Sequence, residues 1–126
     1  MSMIFDHVDL RVSDVGRART FYDAFLRPFG FRGRPQDDGT LLYFRLEHRH
    51  VREAIAVIPD PHHRPNLTRL AFCAPSRADV DRIGAIAAEA GARAYEAPAL
   101  CDEIAENYYA AFFEDPDGNR LEVVCR

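Results

Sequence analysis

From position 4 to position 12 the chain alternates. Ile4, Asp6, Val8, Leu10 and Val12 fall on one face of an extended strand, and Phe5, His7, Asp9 and Arg11 fall on the other. The Val8-Leu10-Val12 side is apolar and predicts packing against a helix. The His7-Asp9-Arg11 side must face water or a wet cavity. The period then changes: Val15, Ala18, Phe21, Tyr22 and Phe25 form one stripe of a helix over 14–26, which Pro28 and Gly30 end. A short strand over 29–33, a turn cluster over 35–39 and a hairpin of strands 41–47 and 52–58 around His48-Arg49-His50 complete the first half.

The second half repeats this order after a proline-rich linker over 59–66. In the strand over 67–74, Leu70 and Phe72 make the helix-packing face, and Leu67, Arg69, Ala71 and Cys73 point the other way. The helix over 76–90 carries Val80, Ile83, Gly84 and Ala87 on one stripe, Ser76 with Asp79 resembles a capping box, and Gly91 is a stop. A strand over 93–97, a loop over 98–107 and a hairpin of strands 108–114 and 120–125 follow. The hairpin turns at Asp115-Pro116-Asp117-Gly118-Asn119, which places Arg120, Glu122 and Val124 on one face and Leu121, Val123 and Cys125 on the opposite, apolar face. Tyr108, Ala110 and Phe112 are expected on the Glu122 face. Two copies of strand, helix and three strands predict an α+β fold of two βαβββ modules. Their curved mixed sheets would have the helices outside and enclose a pocket. The modules span 1–58 and 67–126, in one domain of 126 residues. His7 and Arg69 hold equivalent positions in the two opening strands, and Glu122 sits on a late strand.

Composition removes several chemistries. All sixteen basic residues are arginine, so lysine Schiff bases and a phosphate-loop lysine are excluded. No GxSxG occurs, which argues against a serine hydrolase. Ser13 and Ser76 both precede helices and are expected to cap them. Cys73, Cys101 and Cys125 form no CxxC and read as buried free thiols. With a net charge of −4 and scattered arginines, nucleic acid is not the expected partner. No apolar run approaches a membrane span, no secretory signal is evident, and the expected compartment is the cytoplasm.

Three pieces of text carry a family resemblance: Phe5-Asp6-His7-Val8, Arg19-Thr20-Phe21-Tyr22, and Phe113-Glu114-Asp115-Pro116-Asp117-Gly118-Asn119-Arg120-Leu121-Glu122. The chain resembles the vicinal oxygen chelate superfamily, the group of glyoxalase I, extradiol dioxygenases, and fosfomycin- and bleomycin-resistance proteins. The resemblance implies metal ligands at equivalent positions of the two modules, on the first and last strand of each. Carried over, these are His7 and Glu122, with Arg69 where a histidine is usual. The first module's last strand offers Ala56, or Glu53 if the register slips. Arginine has no lone pair to donate and alanine has no ligand atom.

The candidate residues each have a bland and a sharp reading. His7 is a metal ligand or general base, or a histidine hydrogen-bonded in the cavity. Glu122 is a ligand or proton carrier, or the partner of Arg69 in a bidentate ion pair. Arg69 in turn pairs with Glu122 or clamps an anionic ligand. Asp9 and Arg11 are an ion pair or part of the pocket. Tyr108, Phe112 and Cys73 line the cavity or are ordinary strand residues. His48, His50, His62 and His63 lie in loops with no standard metal spacing.

The expected function is binding or transforming a small anionic or aromatic molecule at a degenerate metal site. The alternative is a metal-dependent enzyme, either a lyase or isomerase like lactoylglutathione lyase or an extradiol dioxygenase. The expected cofactor is none, or a weakly held Zn, Fe, Mn or Ni ion. A homodimer is expected, partly from aromatics such as Phe29 and Phe31 that follow the first helix and read as exposed.

Overall fold

The computed structural model describes residues 4–126. The described chain falls into two compact modules, one ending at Arg64 and one beginning at Pro65. The first contains β1 (His7–Val12), α1 (Val15–Leu26), a single 3-10 turn (Arg27–Phe29), β2 (Arg32–Pro35), β3 (Leu41–Glu47) and β4 (His50–Pro59). The second contains β5 (Arg69–Cys73), α2 (Arg77–Glu89), β6 (Arg93–Leu100), β7 (Tyr109–Glu114) and β8 (Arg120–Cys125). Each module holds a four-stranded mixed sheet, in the order β1-β4-β3-β2 and β5-β8-β7-β6. The first strand of each runs parallel to the last, and the other pairs are antiparallel. The parallel pairing follows from the crossover helix, because a strand can return alongside its predecessor in the same direction only through a long connection.

One face of each sheet packs on its helix. In the first module Ala18, Phe21, Tyr22, Phe25 and Leu26 of α1 are buried against Leu41, Tyr43, Ile55 and Val57. In the second, Val80, Ile83 and Ala87 of α2 are buried with Ala111, Phe113, Leu121 and Val123. A tyrosine ties helix to sheet in both: the Tyr43 hydroxyl donates to Asp23 at 2.7 Å, and the Tyr109 hydroxyl donates to Asp81 at 2.5 Å.

Several local expectations are corrected. The first strand starts at His7, and Ile4 and Phe5 lie outside it, 92% and 77% exposed. Residues 27–29 form the 3-10 turn and the short strand begins at Arg32. Phe31 is buried at 8% exposure and Phe29 packs edge-on to Phe25 at 5.6 Å, so neither is an exposed aromatic. Asp14, not Ser13, caps α1 by accepting from the Arg17 N–H at 3.0 Å, because a carboxylate one residue later is better placed for that donor. Ser76 caps α2 as expected, accepting from the Asp79 N–H at 3.1 Å and donating to Asp79 at 2.8 Å. The β3–β4 hairpin closes through His48 and Arg49, with φ of 51° and 70°, the double left-handed geometry of a two-residue hairpin loop.

The turn before β8 is built around Asp115, which is fully buried. Its Oδ1 accepts from the N–H groups of Asp117 at 2.8 Å and Asn119 at 2.9 Å, and its Oδ2 accepts from the Asn119 side-chain amide at 2.8 Å. Gly118 completes the turn at φ 91°, where a Cβ would come within 2.8 Å of Pro65.

Candidate functional site

Register sets the second module's free face. Arg69, Ala71 and Cys73 of β5 lie beside Arg120, Glu122 and Val124 of β8, and Phe112 and Ala110 of β7 lie beside Glu122 and Val124. Paired residues point to the same side of a sheet, so Arg69, Cys73, Phe112 and Glu122 share the face turned away from α2. Glu122 sits in mid-strand at 5% exposure. Its neighbours across the strands are Phe112 and Ala71. The Ala71 methyl brings no polar group to the carboxylate.

A buried carboxylate needs a donor, and Tyr108 supplies it through a short hydrogen bond from its hydroxyl to Glu122 Oε2. Tyr108 is thus the tyrosine that meets Glu122, while Tyr109 turns to the helix side and Asp81. Burial, then the bond to Glu122 and its charge, push the Tyr108 phenol up to about 12, against the opposing influence of Arg126. The Arg126 guanidinium carbon stands 5.4 Å from the Tyr108 ring centre. Cys101 is buried nearby with its thiol 3.5 Å from the Ala99 carbonyl oxygen. Burial, then the charges of Glu103 and Glu122, raise that thiol and keep it protonated.

The bidentate Arg69–Glu122 ion pair is not among the ion pairs of the described residues. Arg69 is paired across the strands with Arg120, and Ala71 takes the place opposite Glu122. The Arg69 guanidinium carbon lies 4.8 Å from the Phe112 ring centre, over its face. A guanidinium set over a ring face can still offer N–H groups to an anion. Cys73 is exposed on the same face, beside Val124, and Cys125 is half-buried, so of the three thiols expected to be buried Cys101 alone is.

The first module's free face carries His7, Asp9 and Arg11 on β1, and the structure gives each its own partner. His7 Nδ1 is 2.7 Å from Asp6 Oδ1, and Nε2 is 3.8 Å from Asp9. The bond to Asp6, then the Asp9 charge, raise the imidazole above its ordinary value and favour its protonated form. Arg11 faces Asp60 at 3.8 Å, so the Asp9–Arg11 pair gives way to His7–Asp9 and Arg11–Asp60 contacts. Ala56 lies opposite Asp9 on β1 as Glu122 lies opposite Ala71 on β5, which makes Ala56 the counterpart of Glu122. Glu53 is turned to the other side, bonded to Arg45 at 2.5 Å.

The donor set does not fit a divalent ion. Arg69 and Ala56 offer no lone pair at two of the four family positions. Both ring nitrogens of His7 face carboxylates. Among the described residues no group of three or more His, Cys, Asp or Glu side chains is arranged to hold a metal.

Sequence reasoning missed Arg126, the place of Cys101 near Glu122, and the buried role of Asp115. Arg126 lies beyond the last strand, where alternation gives no direction. Asp115 had a readable signal, since Asp followed by Pro-Asp-Gly-Asn is a side-chain-closed turn.

The Tyr108–Glu122 bond has a pH signature. The folded phenol ionises at a higher pH than the unfolded one, so the unfolded chain loses this proton first and the bond's contribution to stability is lost as pH rises toward about 12. Ultraviolet titration of tyrosinate should show a tyrosine ionising at that high pH, and Glu122→Gln should move it down. An unchanged titration in that variant would show that Glu122 does not govern Tyr108.

Two mixed sheets, each led by a strand–helix crossover and each with one face left free, define a protein of paired βαβββ modules. The model of the Glyoxalase/Bleomycin resistance protein/Dioxygenase superfamily matches residues 4–123, and the chain belongs to this family. Its fold is similar to a glyoxalase/bleomycin resistance protein from Albidiferax ferrireducens T118, with a TM-score of 0.77, 25% identity, and 98% of this chain and 99% of that chain covered. It is also similar to the fosfomycin resistance protein FosX from Mesorhizobium loti (TM-score 0.71, 16% identity, 100% and 94% covered). FosX from Listeria monocytogenes gives a TM-score of 0.74 at 13% identity, with 100% and 95% covered. No curated protein matches the chain. Among the described residues no helix is long and apolar enough to cross a membrane.

Proposed function

We infer that this chain is a metal-free, small-molecule-binding member of its superfamily, and that the free face of the second module takes an aromatic carboxylate or a similar anion. The observation that carries this reading is Arg69, a guanidinium lying on Phe112 with no carboxylate partner among the described residues. Arg69 supplies a positive charge on the face that carries Glu122, where the family pattern would have a metal-ligating histidine. Phe112 and Tyr108 supply aromatic surface. Glu122, held by Tyr108, shapes the site and accepts hydrogen bonds from a ligand's donors. The similar structures, which include a glyoxalase/bleomycin resistance protein and fosfomycin resistance proteins, support a small-molecule role. A cytoplasmic setting suits the three free cysteines.

The test has two parts. Elemental analysis of protein purified without an affinity tag should find no stoichiometric divalent metal. Calorimetry should show benzoate binding about tenfold more tightly than benzyl alcohol, the gain of one charge-assisted hydrogen bond. A tightly held stoichiometric ion would overturn the reading in favour of a metal-dependent lyase, isomerase or dioxygenase. Equal binding of benzoate and benzyl alcohol would remove the anion preference.

We further propose a homodimer. Leu46 and Val51 face each other across the β3–β4 hairpin, each 56% exposed, and form an apolar patch suited to a second copy. Sedimentation showing only monomer at tens of micromolar would count against it, since that concentration populates an interface of moderate strength.

A further inference from the structure

The helix side of the first module carries a cleft distinct from the face that holds His7. It encloses about 490 Å³ and is lined by Arg19, Asp23, Arg27, Arg32, Gly33 and Tyr43 among others. Arg19, Asp23 and Arg27 recur at every fourth position along α1 and the turn that continues it, so they stack on one flank. Arg32 borders the cleft from the edge strand β2. Tyr43 is the floor, and Gly33 opposite it is what lets the ring lie there, because a Cβ at position 33 would stand 2.6 Å from the Tyr43 ring.

The charges in the cleft do not balance. The single carboxylate, Asp23, is engaged on both oxygens: Oδ1 accepts from the Tyr43 hydroxyl at 2.7 Å, and Oδ2 faces Arg19 Nε at 3.6 Å. Arg27 and Arg32 have no carboxylate partner among the described residues. Other arginines of the module do find one, Arg45 with Glu53 at 2.5 Å and Arg52 with Glu47 at 3.1 Å. Three guanidinium groups against one carboxylate concentrate positive charge in a chain whose net charge is −4.

The geometry points to a second binding site in this cleft, for a small phosphomonoester. A carboxylate is satisfied by one guanidinium fork, whereas a phosphoryl dianion offers three oxygens and can meet forks from two elements, here Arg27 after α1 and Arg32 on β2. The volume falls in the range of small-molecule sites and leaves space for an organic remainder. Arg19, already paired, orients the flank, and the Tyr43–Asp23 bond fixes the floor.

Inorganic phosphate is the probe, titrated at low ionic strength against the full chain and followed by amide NMR shifts and calorimetry. Saturable binding is expected, with the largest shifts at Gly30 and Gly33, and Arg27→Gln and Arg32→Gln each weakening it about tenfold. Arg64→Gln, an arginine outside the cleft, should leave it unchanged. Shifts centred on Phe112 and Glu122 would assign the phosphate to the second module's face and overturn the proposal. Equal weakening by Arg64→Gln would show non-specific attraction, and succinate binding as tightly as phosphate would remove the phosphomonoester class.

Discussion

Asp115→Ala should unfold this protein at markedly lower denaturant, with a loss of about 3 kcal/mol. The residue is fully buried and accepts from three donors, the N–H groups of Asp117 and Asn119 and the Asn119 amide, all at 2.8–2.9 Å. Alanine leaves those donors of the half-buried Asp117 and Asn119 without their acceptor in a tightly closed turn, and an unsatisfied group carries a desolvation penalty. Asp115→Asn keeps an acceptor for the two backbone donors and should cost about 1 kcal/mol. Urea unfolding of the two variants separates them, and a loss below about 1 kcal/mol for alanine would sink the argument. A consequence for binding follows. The backbone bond from Asp115 N–H to the Asn119 carbonyl, at 2.8 Å, closes the hairpin that sets β8 against β7. A one-residue slip of β8 would turn Glu122 to the opposite face, so benzoate binding should weaken along with stability.

How much of this was legible depends on which physical rule each feature obeys. Alternation is a rule of the strand itself, so the faces were readable: Leu121 and Val123 against the helix, Glu122 with Phe112 and Ala110 on the other side. The five-residue turn carried that parity across the hairpin and placed Tyr108 rather than Tyr109 beside Glu122. Parity says nothing about position along a neighbouring strand. The sequence could put Arg69 on the same face as Glu122, yet the parallel register sets Ala71 opposite Glu122 and leaves Arg69 beside Arg120. The same limit applies to Phe29 and Phe31. Following Pro28 they read as an exposed strand, but the 3-10 turn folds Phe29 back on Phe25 and buries Phe31. The helix-side cleft of the first module was invisible because it joins one flank of α1 to an edge strand, and no periodicity links the two.

Arg69→Gln should separate binding from stability. Arg69 is exposed, and its guanidinium rests 4.8 Å from the centre of the Phe112 ring. An exposed cation–π contact contributes about 0.5–1 kcal/mol, so the variant's unfolding midpoint should shift little. A buried ion pair with Glu122 would behave differently, because losing its cation would leave an uncompensated charge and cost about 3–5 kcal/mol. The geometry favours the small shift, since Tyr108 already satisfies Glu122. Benzoate binding, by contrast, should fall about tenfold, because glutamine removes the charge that meets the carboxylate. Benzyl alcohol, which has no charge to lose, should bind the variant as it binds the parent. Arg69→Lys should fall between, since an ammonium keeps the charge but cannot lie flat on the ring or present a two-pronged edge. Calorimetry and urea unfolding on the same preparations decide the matter. A large stability loss with unchanged benzoate affinity would assign Arg69 to holding the sheet rather than the ligand.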